Sequence, residues 1–272
     1  MCFLLGYCHI IHICQFNSFY TCNSHFYGLR SWYTFPMNTK ESKRPPADHE
    51  LLQQGDEDVS LTSWRIFRIM AEFVSGFELL RKYRLAATVF GSARSLPDSK
   101  WYQESQKLGY LLGKEGFSII TGGGGGIMGA ANKGAYEAGA PSVGLNIKLP
   151  HEQRLNSYVT DTETFSFFFT RKVMLSFASE VYIYFPGGFG TLDEFFELLT
   201  LVQTGKITKV PIVLVGRSYW DPLVAWFKSS LYEEHETIGK DDVNLFYVVD
   251  SAEEAHEVIT KLDNGDEIVR DN

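Results

Sequence analysis

The sequence contains no cysteine after Cys22, although four cysteines lie within its first 22 residues. No two of these four form a C-x-x-C pair, which disfavours a zinc site. A chain of 272 residues can also bury enough apolar surface to fold without disulfides. Basic residues are also outnumbered by acidic ones, 25 to 33, which gives a formal net charge of -8 at pH 7. We therefore expect neither a bound metal nor a nucleic-acid partner.

The first 36 residues contain no acidic side chain, and no lysine or arginine precedes Arg30. Polar residues interrupt the apolar stretches, so the segment is typical of neither a secretory signal nor a membrane span. The composition changes at Met37, which predicts that Met37 is the true start and residues 1–36 an upstream extension. Residues 37–60 are polar and charged and predict a mobile lead-in. We expect a cytoplasmic protein without a membrane partner.

Apolar side chains then recur at intervals of three and four residues, which is the period of one face of a helix. This pattern predicts an N-terminal helix over residues 61–84. Its apolar face would cover the core of the domain or form the seam of a dimer. The residues that make this face are Trp64, Phe67, Met70, Phe73, Val74, Phe77 and Leu80.

After Arg84, short apolar runs alternate with helical stretches. This alternation predicts an α/β domain over residues 85–266, with a mostly parallel sheet and helices on both faces. Such sheets bind ligands beyond the carboxyl ends of their strands, so function is expected in the strand-to-helix turns. The predicted strands are Ala86–Phe90, Phe117–Ile120, Ser142–Ile147, Val181–Phe185, Val210–Val215 and Leu245–Val249, and the predicted helices lie near 99–115, 127–139, 166–179, 191–204, 219–231 and 252–263.

Two of these turns are rich in small residues. In the first, Gly91 lets the chain turn directly after a strand, and Ser92 can either stabilise the turn or bind a ligand. The second contains five consecutive glycines, which indicates a backbone that approaches something closely. Its stretch from Gly124 to Gly129 matches G-x-G-x-x-G, but Asn146 stands where a dinucleotide site needs an acid, which disfavours NAD. Neither turn ends in Gly-Lys-Ser/Thr, so a Walker-type ATPase is excluded.

The third turn carries the strongest signal, because residues 186–194 read PGGFGTLDE directly after a predicted strand. Its glycines leave backbone N–H groups unobstructed, and the start of a helix favours an anion such as a phosphate. Glu194 lies in the first turn of that helix, where a carboxylate either stabilises the helix or takes part in catalysis.

Two basic residues, Arg171 and Lys172, directly follow an aromatic run over residues 165–170. Charged side chains near the start of a buried helix need an anion or a carboxylate as a partner. Arg171 is better suited than Lys172 to hold a carboxylate or a phosphate with two parallel hydrogen bonds.

The motif P-G-G-x-G-T-x-x-E at residues 186–194 is similar to the signature of the LONELY GUY family of nucleoside 5'-monophosphate phosphoribohydrolases, formerly labelled lysine decarboxylases. Three further motifs stand in the order typical of this family: G-S-A-R at 91–94, T-G-G-G-x-G-x-M at 121–128 and R-K at 171–172. The resemblance covers roughly residues 84–265. It implies a Rossmann-like, doubly wound fold, a homodimer, and hydrolysis of the bond between a base and ribose 5'-phosphate without a cofactor.

The resemblance also implies roles for individual residues. Arg171 and Glu194 match the catalytic pair of the family. A carboxylate near the sugar would stabilise the positive charge that develops as the base leaves, and Arg171 would hold it ionised or steady the ribose phosphate. The matching phosphate-binding positions are Gly187, Gly188, Gly190 and Thr191, and the positions that match the nucleotide pocket are Gly91, Ser92, Gly123, Met128 and Lys172.

One departure from the family concerns the base. Cytokinin-activating members carry Met-His shortly before the arginine, whereas Phe168 and Phe169 occupy this stretch here. Two phenylalanines favour stacking on a base over hydrogen bonding to it. We therefore expect a purine monophosphate such as AMP as the substrate, although packing in the core would explain the aromatic run equally well.

Two other functions stay open at this point. A carrier of the molybdenum cofactor, a phosphorylated pterin, would use the same phosphate turn but would need neither Arg171 nor Glu194. A decarboxylase that uses pyridoxal phosphate requires a lysine that forms a Schiff base beside a phosphate cup. Lys172 is the only lysine near the motifs that could serve this purpose.

Overall fold

The computed structural model describes residues 59–149 and 155–263. The predictions for residues 1–36 and for the four cysteines lie outside these described residues, as does the lead-in predicted over residues 37–60 except for Val59 and Ser60, which belong to a helix. Within the described residues, no helix is long and apolar enough to cross a membrane. The same residues contain no group of three His, Cys, Asp or Glu side chains arranged to hold a metal ion.

The described residues contain seven strands that form one sheet, and every neighbouring pair of strands is parallel. The predicted parallel sheet is therefore confirmed. The strands are β1 (Ala86–Phe90), β2 (Ser118–Thr121), β3 (Ser142–Ile147), β4 (Asp161–Phe165), β5 (Val181–Tyr184), β6 (Ile212–Val215) and β7 (Tyr247–Val249), and their order across the sheet is β4-β3-β2-β1-β5-β6-β7.

Strand β4 was not among the predicted strands. Its sequence DTETF has no apolar run, and only Phe165 in it is buried. It lies at the edge of the sheet, where one neighbour is enough and polar side chains can face water. This strand is therefore recognised by its hydrogen bonds to β3, because its residue pattern does not predict a strand.

The helices fall where the periodicity predicts them, with small differences at their ends. The largest difference is at α6, which contains Pro222 and passes directly into a π-helical segment, Phe227–Glu234. A short 3-10 helix, Lys240–Asn244, follows it. The α-helices are α1 (Val59–Leu80), α2 (Lys100–Lys114), α3 (Ile127–Ala138), α4 (Phe168–Ser176), α5 (Phe189–Gln203), α6 (Arg217–Trp226) and α7 (Ala252–Asp263).

Each face of the sheet is covered by its own apolar core. Ala87 and Val89 of β1 point to a core that α2, α3 and α7 complete, whereas Ala86 and Phe90 point to a second core with α1, α4, α5 and α6. Successive side chains of a strand alternate between faces, so a strand buried on both faces reads as a continuous apolar run. This arrangement confirms the predicted Rossmann-like, doubly wound fold.

Helix α1 shows two different faces. Leu79 and Leu80 are buried in the second core and Phe73 packs against it. Five members of the predicted apolar face are instead at least half exposed: Trp64, Phe67, Met70, Val74 and Phe77. A row of exposed aromatic and aliphatic side chains is typical of a protein interface. The homodimer implied by the family resemblance stays a prediction, and this row is the surface through which we expect two chains to contact each other.

The winding of the chain reverses between β1 and β5, which are neighbours in the sheet. The backbone N–H of Phe185 donates to the Phe90 carbonyl oxygen at 2.9 Å, and the N–H of Ser92 donates to that of Pro186 at 3.1 Å. The first and third glycine turns are thus joined directly beyond the ends of the two strands. In doubly wound sheets, the crevice at this reversal is where ligands bind.

Candidate active site

A cavity of about 910 Å³ opens at the reversal point, beyond the carboxyl ends of β1 and β5. Its lining contains glycines and small residues from the turns, a charged pair from α4 and α5, Arg94 from the first turn, Tyr219 from α6 and a set of apolar side chains. The charged pair is Arg171 and Glu194. The apolar set is Phe90, Trp101, Met128, Ile147, Leu149, Phe168, Leu175, Phe189 and Leu192.

In the third turn, two glycines face open space. A Cβ atom added to Gly188 or to Gly190 would meet no atom within 4 Å, although both residues line the cavity. At Gly187, by contrast, a Cβ would overlap the Thr191 side chain. The Tyr219 hydroxyl also donates to the Gly187 carbonyl oxygen at 2.7 Å, which anchors the turn to α6. The turn is therefore fixed at its first glycine and open toward the cavity at the other two.

The second turn uses its glycines differently, because they face other parts of the protein. A Cβ at Gly122 would overlap the Arg171 guanidinium and lie 2.9 Å from the Met128 sulfur. A Cβ at Gly126 would overlap the Ser92 carbonyl oxygen, and Gly126 also has a φ of +61°. Close approach of the first and second turns, and room for Arg171, explain these glycines.

A buried polar network holds the same turn from behind. The Asn156 amide donates to the carbonyl oxygens of Gly123 and Gly124 at 3.1 and 3.0 Å and to Asn132 Oδ1 at 2.9 Å. The Thr121 hydroxyl donates to Asn132 Oδ1 at 2.6 Å. These bonds satisfy the carbonyl groups of Gly123 and Gly124, which are buried and need hydrogen-bond donors.

Arg171 lies in the first turn of α4, and its side chain is fixed by backbone carbonyl groups. Its Nε donates to the Leu145 carbonyl oxygen at 2.7 Å, and its Nη2 lies 3.4 Å from that of Gly122. Burial lowers the pKa of Arg171 from its usual value and the charge of Glu194 raises it, so the guanidinium stays charged at neutral pH. A half-buried cation of fixed orientation therefore lines the cavity.

Glu194 is only 6% exposed, although it is one of the residues that line the cavity. Burial raises the pKa of Glu194 to about 7, the charges of Arg171 and Lys172 work against this rise, and those of Glu197 and Asp193 add to it. A carboxyl group with a pKa near 7 can change its protonation state at neutral pH, which is the property required of an acid–base group.

Lys172 points away from the cavity and bonds to α5. Its Nζ lies 2.8 Å from Asp193 Oδ2 and 3.1 Å from Glu197 Oε2, although the second contact lacks hydrogen-bond alignment. Burial alone would lower the pKa of Lys172, but the hydrogen bond to Asp193 and the charge of Glu197 raise it above its usual value. Lys172 is therefore a protonated partner of two carboxylates and is not prepared to form a Schiff base.

The structure brings most of the predicted site residues together around one cavity. Gly123 and Lys172 are the two predicted residues outside its lining. Ser92 lines the cavity and also stabilises the turn, because its Oγ accepts from the Arg94 N–H at 3.1 Å. The predicted residues in the lining are Gly91, Ser92, Met128, Arg171, Gly187, Gly188, Gly190, Thr191 and Glu194.

Gly122, Trp101 and Tyr219 are among the lining residues that were not predicted as site residues. Tyr219 follows the turn after β6, so the rule that ligands bind at the carboxyl ends of strands would have pointed to it. Gly122 is hidden within a run of five glycines, and Trp101 lies in α2 without a local pattern that marks it.

Comparison with known proteins points to one family. A family model described as "possible lysine decarboxylase" matches residues 128–259, which include α4, the third turn and Glu194. A probable cytokinin riboside 5'-monophosphate phosphoribohydrolase of Oryza sativa subsp. japonica is 29% identical over 58% of this chain and 69% of its own length. A second rice protein with this activity in its name is 28% identical over 67% and 74%, and one from Rhodococcoides fascians is 25% identical over 54% and 76%.

Solved structures agree on the fold. Two structures of the molybdenum cofactor carrier protein from Chlamydomonas reinhardtii superpose with TM-scores of 0.51 and 0.50, at 23% and 22% identity. Each alignment covers 66% of this chain and 98% of the carrier protein. At this identity the similarity shows a shared architecture and nothing more. The motifs at the cavity and the matches in sequence make the chain similar to the phosphoribohydrolases of the LONELY GUY family.

Proposed function

We propose that this protein hydrolyses the N-glycosidic bond of a nucleoside 5'-monophosphate and releases the free base and ribose 5-phosphate. The observation that carries the proposal is the place of Glu194, a buried carboxyl with a pKa of about 7 just inside the open glycine turn. The related plant and bacterial proteins are named phosphoribohydrolases, which supports the same chemistry.

The 5'-phosphate would bind at the third turn. Gly188 and Gly190 leave space that a side chain would fill, so phosphate oxygens can approach the backbone. The N–H groups of Thr191 and Leu192 already donate to the Gly188 carbonyl oxygen, so the groups left for an anion are those of Phe189 and Gly190 at the very start of α5. The helix dipole favours a negative charge in this position. Phosphate binding at the start of α5 would set the ribose next to Glu194, which lies in the following turn of the same helix.

Glu194 would act on the sugar. As the bond to the base breaks, positive charge develops on the ribose ring, and a carboxylate in a dry cavity stabilises it strongly. Water then adds its hydroxyl group to the anomeric carbon, and its proton goes to the departing base. The fixed positive charge of Arg171 favours the ionised form of Glu194 and attracts the anionic substrate.

The base would lie among the apolar side chains of the cavity. Phe168 lines the cavity while Phe169, its neighbour in sequence, does not, so the expected stacking concerns Phe168. Trp101 and Leu149 add further apolar surface. An aromatic pocket suits a purine ring, and we propose AMP as the substrate to test first.

The test is release of adenine from AMP by the purified full-length protein, measured by chromatography. We expect hydrolysis that Glu194→Gln lowers on the order of 100-fold or more, because the amide cannot stabilise a developing cation. The wild-type rate should also fall as the pH drops below about 7, since Glu194 becomes protonated there. Glu257→Gln, which neutralises an exposed carboxylate on α7, is the matched control and should leave the rate unchanged.

Two outcomes would contradict the proposal. One is that the protein releases no base from AMP, GMP, IMP, CMP or UMP. The other is that Glu194→Gln hydrolyses AMP at the wild-type rate. Tight binding of a phosphorylated pterin without hydrolysis would favour a carrier, which at present rests on the fold alone. A decarboxylase is disfavoured by Lys172, because its two carboxylate partners keep it protonated.

A further inference from the structure

Glu72 lies on the side of α1 that faces α4, and it accepts hydrogen bonds from the start of that helix. Its Oε1 accepts from the backbone N–H of Ser166 at 2.7 Å. Its Oε2 accepts from the N–H of Phe167 at 3.3 Å and from the Thr170 hydroxyl at 2.6 Å. Burial alone would raise the pKa of Glu72, but these hydrogen bonds lower it below its usual value. The carboxylate is therefore ionised at neutral pH.

Helix α4 has no capping side chain of its own. The residue at its N-cap is Phe167, which offers no side-chain acceptor. Helix N-caps are normally Ser, Thr, Asp or Asn, whose oxygen atoms bond to the free N–H groups of the first turn. At nine residues, α4 is also too short to be stable without such contacts. Glu72, from a different helix, accepts from the N–H of this N-cap residue and from that of Ser166 before it, as the glutamate of a capping box does, and its negative charge suits the helix dipole.

The first turn of α4 carries two residues of the cavity, Phe168 and Arg171. The backbone N–H of Arg171 donates to the Phe167 carbonyl oxygen at 3.3 Å, so this turn sets the position of the arginine. The guanidinium must also reach the Leu145 and Gly122 carbonyl groups at the ends of two strands. A small displacement of the turn would break these contacts.

We propose that Glu72 is a positioning residue for Arg171, which acts by capping α4 from outside the cavity. Glu72 is not among the residues that line the cavity, so its effect on the reaction passes through α4. The inference rests on the proposed hydrolysis, because it assigns Glu72 a part in that reaction.

The test is a double-mutant cycle on kcat/KM for AMP, with Glu72→Gln and Arg171→Ala made singly and together. Glu72→Gln leaves an amide N–H₂ group facing N–H and hydroxyl donors. We expect it to lower kcat/KM by about tenfold in the wild-type background and by less than about twofold when Arg171 is already absent. A role in overall stability alone would lower kcat/KM by the same factor in both backgrounds.

Glu78→Gln is the matched control, because Glu78 lies on the same helix, is exposed and pairs with Arg81. It should change neither background. Urea unfolding of each variant checks that all are folded at the assay temperature. Where a Glu72 variant does not fold, Thr170→Val removes the hydroxyl on the other side of the same hydrogen bond.

Hydrogen exchange gives a readout that does not depend on hydrolysis. Glu72→Gln should speed exchange in a peptide covering residues 166–176, and Glu78→Gln should not. If the wild type hydrolyses no nucleotide, the proposed function fails while this measurement still decides whether Glu72 caps α4. Unchanged exchange, or equal effects of Glu72→Gln in the two Arg171 backgrounds, would overturn the inference.

Discussion

The second and third glycine turns have similar compositions but serve different purposes. Glycines of the second turn are required by the protein itself: Gly126 approaches the backbone of the first turn, and Gly122 makes room for Arg171. In the third turn, Gly188 and Gly190 meet nothing within 4 Å. Packing within the protein accounts for the glycines of the second turn, whereas for those of the third turn we propose a ligand as the reason. Substitutions should separate the two cases, because the first affects stability and the second affects binding.

The largest effect on stability is expected at Gly126. Alanine there would combine a φ of +61° with a Cβ 2.6 Å from the Ala93 carbonyl carbon. We expect Gly126→Ala to lower the free energy of unfolding by about 4 kcal/mol, from backbone strain and overpacking together. Urea denaturation measures this change. A loss below about 1 kcal/mol would mean that the first and second turns are not held at this distance.

The next largest effect on stability is expected at Glu194, because keeping this carboxyl group buried and ionised lowers the free energy of unfolding. Its pKa is raised from 4.5 to about 7 on folding, so its stabilising contribution is complete below pH 4.5 and is lost as the pH rises through 7. Glu194→Gln has no charge to bury. It should therefore be more stable than the wild type at pH 8 by up to about 3 kcal/mol, and the difference should vanish near pH 4.

This prediction is checked by urea denaturation of both proteins at the two pH values. Higher stability of the inactive variant would mean that the third turn is shaped for chemistry at the expense of the fold. Equal stabilities at pH 8 would show that Glu194 titrates near its usual pKa, and the contrast between the two turns would weaken.

The smallest effect on stability is expected at Gly190, which lies in the first turn of α5. Gly190→Ala should change the free energy of unfolding by less than about 1 kcal/mol, because alanine favours a helix and meets no neighbour. It should still raise KM for AMP about tenfold, since the methyl group occupies space proposed for the phosphate. Steady-state kinetics beside urea denaturation measures both. An unchanged KM would place the phosphate elsewhere.

Much of the fold was predictable because the buried strands are short apolar runs separated by helical periods. The apolar strands from β1 to β7 follow this pattern, while the polar strand β4 does not. Periodicity also predicted α1, but it could not tell which side of the helix meets the core. Phe73 packs inward, whereas its neighbour Val74 is 63% exposed. A pattern along the chain shows that an apolar face exists and cannot show what covers it.

The site was predictable where its residues form motifs in the strand-to-helix turns. It was less predictable where long-range contacts decide. Glu72 accepts a hydrogen bond from Ser166, just before α4 and more than ninety positions later in the chain, and no local pattern predicts this bond. Tyr219 supports Gly187 in the same way, across 32 positions. Such contacts depend on how the helices pack on the sheet. This packing cannot be predicted from local sequence patterns.

The ion pair between Lys172 and Asp193 has a consequence for the two central residues. Lys172 directly follows Arg171 in α4, and Asp193 directly precedes Glu194 in α5. The ion pair therefore links the two helices at positions adjacent to both residues of the charged pair, and it lies outside the lining of the cavity. A shorter, longer or uncharged side chain at position 172 or 193 would therefore alter how α4 and α5 are held together while Arg171 and Glu194 themselves stay unchanged.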